Sequence, residues 1–321
     1  MSAEKTGEAA GATSLVVALL TPLPARLVRA LEDAGYLVPV QADPLWHSAT
    51  VAVTRGSLPT GDDVLAQLPQ LALLCCWGSG YDGIDLQATS RRGIAVSRSA
   101  GGNSASVADL AMGFVIGLLR NLPQAQAHVA SGAWHNAGQR LPSARGLTGT
   151  RIGVFGAGDV GRRILARARA FEMVLGCCSR RDPGLPEVRY FAQLQDLAHW
   201  CDVLVIAVRA DASTQHAVNA DVLRALGPDA CLVNVARGSI VDEAALCAVL
   251  ERRELAGFAS DVFENEPAVP PAMLAFPNAL LTPHVGGATD HAQQALVEAV
   301  MGNIRSFVAT GRPAHPVHDV V

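Results

Sequence analysis

The stretch Val154-Phe-Gly-Ala-Gly-Asp-Val-Gly-Arg-Arg-Ile-Leu165 contains three glycines, Gly156, Gly158 and Gly161, at the spacing G-x-G-x-x-G. In a nucleotide-binding turn the first glycine makes the bend, the second lets the backbone approach a pyrophosphate, and the third lets a helix pack against a strand. The N-terminus of that helix offers unpaired N–H groups to the phosphates. The spacing therefore indicates a dinucleotide site, provided that a strand precedes the turn and a helix follows it.

The flanking residues meet both conditions. Residues 151–155 form a short run rich in Ile and Val, which is typical of a buried parallel strand. From Asp159 and Val160 onward, apolar residues recur at helical spacing. We therefore predict a strand, a glycine turn and a helix, and we place Asp159 and Val160 in the dinucleotide site.

Strand-like and helical patterns alternate along the rest of the chain. The predicted strands are residues 15–20, 50–53, 71–76, 91–96, 173–178, 202–208, 230–235 and 255–260. The predicted helices are residues 22–34, 62–68, 220–226, 242–251 and 290–310. Alternation of this kind predicts an α/β protein with doubly wound parallel sheets, in two domains.

The composition excludes several classes of protein. Of the 321 residues, 50% are hydrophobic and 17% charged, which indicates a globular chain. The net charge is −4 and no basic cluster is visible, so we expect no nucleic-acid partner. Charged residues or glycines interrupt every apolar run, so we expect no membrane span, and residues 1–12 read as a loose tail. Seven cysteines without a C-x-x-C pair predict reduced core thiols in a cytoplasmic protein without a bound metal.

A long apolar helix is predicted to begin near residue 103 and to end near residue 122, connecting the two domains. Ser104 or Ser106 is the predicted N-terminal cap. Residues 124–149 are polar and irregular, with Trp134 in their middle, and they predict either an oligomer contact or a surface arm.

Five stretches together resemble one family. The glycine turn and the glycine-rich loop at residues 78–85 are followed by residues 232–243 (LVNVARGSIVDE), 261–267 (DVFENEP) and 281–287 (LTPHVGG). In this order they resemble the D-2-hydroxyacid dehydrogenases over nearly the whole chain. Within that family the resemblance is greatest to the hydroxyphenylpyruvate and glyoxylate/hydroxypyruvate reductases.

The resemblance implies two Rossmann-like domains with a cleft between them, one flavodoxin-like and one dinucleotide-binding. Residues 1–103 would form the substrate-binding domain, completed by residues 288–321. Residues 104–287 would form the coenzyme domain, with the connector helix and a dimerisation arm. It also implies a homodimer.

The family's catalytic residues correspond to His284 as the acid, Glu266 as the carboxylate that stabilises the imidazolium, and Arg237 as the cation that binds the substrate carboxylate. Histidine is the natural acid near neutral pH, and a guanidinium suits a carboxylate. The loop that receives the substrate carboxylate corresponds to Ser79 and Gly80. We add Trp77, Arg55 and Trp134 as candidates for the pocket lining.

The resemblance also assigns coenzyme contacts. Asp261 corresponds to the residue that hydrogen-bonds the nicotinamide carboxamide, and Arg209 stands where the family has proline at the adenine site. The remaining implied contacts are Val208, Val235, Ala236, His284, Gly286 and Gly287.

The choice of coenzyme is predicted from the end of the second strand of this domain. An NAD site normally places Asp or Glu there to bind the ribose 2′-OH. This strand ends instead in Ser179-Arg180-Arg181, where a hydroxyl and two cations suit a 2′-phosphate. We predict that NADPH is preferred and that NADH remains possible.

The leading interpretation is an NADPH-dependent reductase of small 2-oxo acids, of the glyoxylate, hydroxypyruvate or hydroxyphenylpyruvate type. A dehydrogenase of another D-2-hydroxy acid, such as a sugar acid, is the alternative within the family. A non-catalytic, nucleotide-sensing binding protein of the same fold is the alternative from another class. An assay for turnover of a 2-oxo acid would distinguish an enzyme from a non-catalytic binding protein.

Overall fold

The computed structural model describes residues 14–135 and 140–317, and the predicted N-terminal tail lies outside these ranges. Contacts between residues divide the chain into two compact units. The first unit comprises Met1–Ala100 and Gln294–Val321, and the second comprises Gly101–Gln293. Each unit contains a parallel sheet with helices between its strands, so the predicted α/β fold in two domains is confirmed.

The first unit is built on a four-stranded parallel sheet in the order β1-β2-β3-β4. Its strands are β1 (Val17–Leu19), β2 (Val51–Arg55), β3 (Leu73–Trp77) and β4 (Ala95–Arg98). Its helices are α1 (Ala25–Asp33), α2 (Asp62–Leu65) and α3 (Leu86–Arg91). A parallel bridge from Val16 to Leu37 continues the sheet beyond β1. With that bridge counted as a strand, the spatial order is the flavodoxin-like 2-1-3-4-5.

Both faces of this sheet are covered, which explains why most residues of its strands are apolar and buried. Leu27 and Leu31 of α1 pack on one face, together with Val300 and Ile304. The last two residues belong to the C-terminal helix α11 (Asp290–Thr310), whose later part lies in the first unit.

The second unit contains a seven-stranded parallel sheet in the order β11-β10-β9-β8-β5-β6-β7. Its strands are β5 (Arg151–Phe155), β6 (Val174–Cys178), β7 (Val188–Phe191), β8 (Val203–Ile206), β9 (Cys231–Asn234), β10 (Gly257–Ser260) and β11 (Ala279–Leu281). Read from β7 to β10, this is the Rossmann order 3-2-1-4-5-6 with one strand added.

Helices cover both faces of the second sheet. The helices of this unit are α4 (Ser104–Leu119), α5 (Leu122–Ala130), α6 (Asp159–Ala170), α7 (Leu194–Trp200), α8 (Ala220–Leu226), α9 (Glu243–Glu251) and α10 (Pro271–Ala275), of which α5 has no buried residue. Residues of α4 and α6 pack in one buried cluster, and residues of α7, α8 and α9 pack in another. The central strands β8, β9 and β10 are buried at every residue, as expected for strands with helices on both faces, whereas β5 and β6 each begin with an exposed residue.

Three local predictions were wrong. Asn103, not Ser104 or Ser106, precedes α4, and its side chain makes no capping hydrogen bond within the described chain. Residues 122–130, taken as the end of α4 and the start of an irregular segment, form the separate helix α5, whose first turn contains Pro123. Proline is tolerated there because the first N–H groups of a helix have no partner inside it.

The third wrong prediction is the strand at residues 91–96. Arg91 ends α3, and β4 begins only at Ala95. Gly93, with φ +67°, makes the turn between them. The basic pair Arg91-Arg92 is therefore the end of a helix, where it binds Asp62 across the unit at 2.6 and 3.1 Å.

Within the described part of the chain, no single helix is long and apolar enough to cross a membrane. Helices α4 and α5 reach that length only together, and they are bent by 63° relative to each other. Among residues 14–135 and 140–317, no three His, Cys, Asp or Glu side chains are grouped as metal ligands.

Candidate active site

The glycine turn between β5 and α6 has the geometry that a dinucleotide requires. Gly156 has φ +109°, and a Cβ there would lie 2.7 Å from the Cα of Val208. A Cβ on Gly161 would lie 1.8 Å from the carbonyl oxygen of Gly156. No described atom lies within 4 Å of a Cβ placed on Gly158. The first and third glycines are therefore required by packing, and the second faces open space, where a pyrophosphate fits.

The start of α6 completes this turn. Gly158 precedes the helix and supplies no side-chain cap, and Asp159 is its first residue. The first N–H groups of a helix have no partner within it, so those at Asp159, Val160 and Gly161 are suited to hold phosphate oxygens.

The predicted adenine and ribose contacts follow the neighbouring strands. Arg209 is exposed after β8, and its Nη2 lies 3.5 Å from Asp211 Oδ2. After β9, Val235 is buried, and the N–H of Ala236 donates to Asn234 Oδ1 at 3.0 Å. These residues lie at the carboxyl ends of β8 and β9, where open α/β sheets bind ligands.

The end of β6 carries the residues predicted to select the coenzyme. Arg180 and Arg181 are exposed. The hydroxyl of Ser179 donates to the carbonyl oxygen of Arg181 at 2.7 Å, so it closes its own turn rather than pointing outward as a donor. Asp182 Oδ1 accepts from the N–H of Gly184 at 2.9 Å. The last residue of β6 is Cys178. The position where an NAD site normally has Asp or Glu therefore has no carboxylate.

His284 and Glu266, which the sequence analysis predicted to act as an acid–base pair, lie in contact with each other. Nδ1 of His284 lies 2.9 Å from Oε2 of Glu266. The other carboxylate oxygen, Oε1, accepts from the N–H of Phe263 at 3.1 Å. Both side chains are part-exposed, at 41% for His284 and 37% for Glu266. The histidine is therefore oriented by a carboxylate and remains accessible to a substrate.

The charge state of Glu266 follows from its neighbours. Burial opposes its ionisation, but the hydrogen bond and charge of His284, the Phe263 N–H and the charge of Arg237 outweigh burial. The pKa of Glu266 is therefore below its usual value of 4.5. At every pH at which a histidine titrates, this carboxylate is ionised and stabilises an imidazolium.

Glu266→Gln tests this pair through pH. Since the pKa of Glu266 is lowered by folding, its contribution to stability is present above pH 4.5 and is lost as the pH falls through the folded value. The melting temperature of the parent should fall between pH 7 and pH 4 partly because Glu266 is protonated. The Gln variant has no such carboxylate, so its melting temperature should fall less over the same range. In the reductive direction, the alkaline limb of its kcat/KM profile should move to lower pH, because the imidazolium loses its charge partner. Parent-like curves in both measurements would contradict the coupling.

Asp261 holds the segment that contains His284. Its buried carboxylate accepts from the N–H of Val285 at 2.8 Å, from the N–H of Gly286 at 2.7 Å and from the hydroxyl of Thr282. The N–H of His284 donates to the Asp261 carbonyl at 2.8 Å. The sequence suggested only a coenzyme contact for Asp261, and the structure shows that it also fixes the backbone on both sides of His284.

Ser106 contributes a contact that the sequence did not indicate. Its hydroxyl donates to the carbonyl of Gly286 at 2.7 Å, which ties the first turn of α4 to the two glycines after His284. A Cβ on Gly287 would lie 3.1 Å from Asn103 Nδ2, so this approach is close. No spacing rule could find a contact between residues 180 positions apart.

Arg237 lies between β9 and the 3₁₀ turn Gly238–Ile240. Its Nη1 donates to the Ala236 carbonyl at 2.8 Å, and its own carbonyl accepts from Asn234 Nδ2 at 2.9 Å. A Cβ on Gly238 would lie 2.0 Å from the carbonyl carbon of Phe263. Only glycine permits this approach, which brings the Arg237 loop against the segment that ends at Glu266.

The predicted carboxylate-binding loop lies in the first unit, after β3. Gly78 has φ +114°, and its carbonyl accepts from the N–H of Ser99 at 2.8 Å. Ser79 and Gly80 follow and are part-exposed. Of the candidates for the pocket lining, Trp77 packs against the core of this unit and Arg55 is exposed at the end of β2.

The second unit thus has a glycine turn suited to a dinucleotide after β5 and a histidine held by a carboxylate after β10 and β11, at the carboxyl ends of one sheet. Dehydrogenases that use a nicotinamide coenzyme combine these two features. The fold and the site together define that class of enzyme.

Comparison with known proteins identifies the family. Residues 112–286 match the family described as D-isomer specific 2-hydroxyacid dehydrogenase, NAD binding domain. A glyoxylate/hydroxypyruvate reductase of Arabidopsis thaliana is 35% identical over 84% of this chain and 83% of its own length. A hydroxyphenylpyruvate reductase of Plectranthus scutellarioides is 32% identical over 86% of this chain and 88% of its own length. The chain belongs to the D-isomer specific 2-hydroxyacid dehydrogenases.

A solved structure agrees with this assignment. The NADPH-dependent glyoxylate/hydroxypyruvate reductase of Sinorhizobium meliloti, in complex with NADP and malonate, has a TM-score of 0.88 to this chain. The two sequences are 34% identical, and the match covers 95% of this chain and 97% of that one. The predictions of the family and of an NAD(P)-dependent oxidoreductase are confirmed.

Proposed function

We propose that this protein is an NADPH-dependent reductase that converts small 2-oxo acids to D-2-hydroxy acids. The observation that carries the proposal is the pair of His284 Nδ1 and Glu266 Oε2 at 2.9 Å, in a chain whose relatives are named as 2-oxo-acid reductases. The substrate class is glyoxylate, hydroxypyruvate or hydroxyphenylpyruvate.

In this mechanism the chain binds and orients the substrate and moves one proton. Arg237 binds the substrate carboxylate. Asp261 would hold the carboxamide of a bound reduced nicotinamide, which would supply the hydride. His284, held by Glu266, donates its proton to the carbonyl oxygen as negative charge develops there. The products are the D-2-hydroxy acid and the oxidised coenzyme, and the neutral imidazole of His284 takes up a proton from water for the next cycle.

The decisive experiment is an assay of the purified chain against a panel of 2-oxo acids, each with NADH and with NADPH. We expect turnover of glyoxylate or hydroxypyruvate, and a higher kcat/KM with NADPH. A six-carbon 2-oxo sugar acid in the panel tests the alternative dehydrogenase. Tight coenzyme binding without turnover of any compound would favour the nucleotide-sensing protein instead.

The end of β6 supports the preference for NADPH, because Arg180 and Arg181 are exposed there and the last residue of the strand is Cys178 rather than Asp or Glu. The relative from Sinorhizobium meliloti has NADP bound. A 2′-phosphate needs donors and positive charge, which a guanidinium supplies.

Replacing Ser179 by Asp and Arg180 by Ala should reverse this preference. The loss of charged hydrogen bonds should weaken NADPH use by roughly 1.5–3 kcal/mol, or about 10- to 150-fold in kcat/KM. NADH should be affected less, because it carries no 2′-phosphate. Arg252→Ala, which removes an exposed arginine paired with Glu254, is the control and should change neither coenzyme. An equal loss with both coenzymes would contradict this assignment.

A homodimer is part of the proposal. Large apolar side chains on and after α5 are exposed: Leu122 at 49%, Val129 at 53%, Trp134 at 72% and Leu141 at 43%. This exposed apolar surface fits an isologous contact, in which Trp134 would reach the partner subunit. Light scattering at micromolar concentration should give twice the mass of 33.4 kDa, and a monomeric mass would end the idea.

We also assign the protein to the cytoplasm. Six of its seven cysteines are buried, and burial raises the pKa of Cys75 and Cys76 to about 12. Such thiols behave as core side chains, which fits a reducing compartment.

A further inference from the structure

The backbone before Glu266 is held by two side chains that the sequence did not suggest as site residues. The N–H of Glu264 donates to Oε1 of Glu243 at 2.8 Å. The carboxylate of Glu264 lies 2.7 Å from Nε2 of His216. We call His216, Glu243 and Glu264 the Glu264 cluster.

The partners of Glu264 are anchored in separate elements. Glu243 is the first residue of α9, is 9% exposed, and follows Asp242, whose side chain caps that helix. His216 has φ +48°, and its N–H donates to the carbonyl of Ser239 at 2.9 Å. The cluster therefore connects α9, the loop after β8 and the turn after Arg237 to the segment 263–266.

That segment determines where the carboxylate of Glu266 lies. The N–H of Phe263 donates to one oxygen of Glu266 at 3.1 Å, and the other oxygen lies 2.9 Å from His284 Nδ1. The peptide between Phe263 and Glu264 also contacts Gly238, directly after Arg237. A shift of Glu264 would thus move the donor that orients Glu266 and the surface on which the Arg237 loop rests.

Glu243 also lines a small space inside the second unit. A void of about 10 Å³ is lined by Asn234, Gly238, Glu243, Ser260 and Val262, among others. It has room for about one water molecule. The hydrogen bond to Glu243 and the close approach of Gly238 together hold the backbone at Glu264.

The charges around the cluster favour the observed contacts. The hydrogen bond that His216 donates to Glu264, together with the charges of Glu264 and Asp242, raises the pKa of His216 and so favours its cationic form. Burial raises the pKa of Glu243, and the charge of Glu264 adds to this, while the N–H of Glu264 acts in the opposite direction. A neutral carboxyl still accepts through its carbonyl oxygen, so this bond does not require a charged Glu243.

We propose that Glu243 and His216 are positioning residues, which hold the segment 263–266 so that Glu266 meets His284 at hydrogen-bonding distance. This inference rests on the proposed function, because it concerns the same acid–base pair. Neither residue contacts the reacting atoms in the mechanism above; both act through Glu264.

The test compares Glu243→Ala with Glu243→Gln. The Ala variant should lose roughly 10- to 100-fold in kcat, because small misplacements of a catalytic group are costly, with little change in coenzyme affinity. The alkaline limb of its reductive kcat/KM profile should move to lower pH. The Gln variant keeps an oxygen acceptor for the Glu264 N–H and should restore most of both properties. His216→Asn removes the imidazole beside Glu264, and Asn tolerates the positive φ at this position. This variant should also have a lower kcat than the parent.

Asp202→Ala is the matched control, since the Asp202 carboxylate also accepts from a backbone N–H, that of Arg151 at 2.8 Å, at the opposite ends of the strands. It should lower the melting temperature and leave the kinetics unchanged. An NMR titration of the His284 imidazole gives a readout that needs no turnover, and its midpoint should move to lower pH in Glu243→Ala.

The outcomes separate the two proposals. If the parent chain reduces no 2-oxo acid, the proposed function fails, and the NMR titration still decides the present inference. If Glu243→Ala matches Asp202→Ala in kinetics and leaves the titration of His284 unchanged, the positioning role is wrong. It is equally wrong if Glu243→Gln is as impaired as Glu243→Ala.

Discussion

Replacing His284 by Asn is expected to lower the turnover of 2-oxo acids by a factor of roughly 10²–10⁴, the usual contribution of a positioned acid–base group. His284 has φ +56°, a conformation that Asn adopts more readily than other residues with a side chain. The Asn variant should therefore keep the loop that Asp261 holds, whereas Ala adds backbone strain to the loss of the imidazole. Steady-state kinetics with a saturating coenzyme measure the effect.

Coenzyme binding provides the control for this variant. The affinity for NADPH, measured by fluorescence titration, should barely change, because the glycine turn after β5 is untouched. His47→Asn, an exposed histidine of the first unit that contacts the carbonyl of Gln67, should leave turnover intact. Near-normal turnover in His284→Asn would remove this histidine from the mechanism.

Replacing Arg237 by Lys is expected to lower kcat/KM for the 2-oxo acid by about 10²-fold, which corresponds to roughly 3 kcal/mol for a charged hydrogen-bonded pair. A guanidinium binds a carboxylate through two parallel N–H bonds, and an ammonium cannot reproduce that geometry although it keeps the charge. One donor of Arg237 is already used on the Ala236 carbonyl, so Lys should also loosen the loop before Gly238.

The Arg237→Lys variant should show a higher KM for the 2-oxo acid together with a lower kcat, while the KM for NADPH stays close to that of the parent. Arg224→Lys, on the exposed face of α8 beside Asp221, is the control and should have no effect. A kcat/KM within threefold of the parent value would contradict a role of Arg237 in binding the substrate carboxylate.

Some elements could be predicted because their signal is local. β5, the turn and α6 lie where the strand pattern, the glycines and the helical spacing placed them. The bounds of α8 and α11 were predicted without error, since Gly227 with Pro228 ends the first and the second is a long amphipathic run. Strands β7 and β11 were missed because each has four residues or fewer and no flanking signal that sets it apart from a loop.

The sequence by itself determined the α/β class, the dinucleotide turn and, through motif resemblance, the identity of His284, Glu266 and Arg237 as candidates. These depend on short-range spacing, and each motif lies within about a dozen residues. Only the tertiary structure showed which other side chains hold the segments that contain these candidate residues. Ser106 binds the carbonyl of Gly286, and Glu243 holds Glu264, across 180 and 21 positions. The parallel sheet brings the carboxyl ends of distant strands to one edge, and no periodicity in the chain encodes contacts made there.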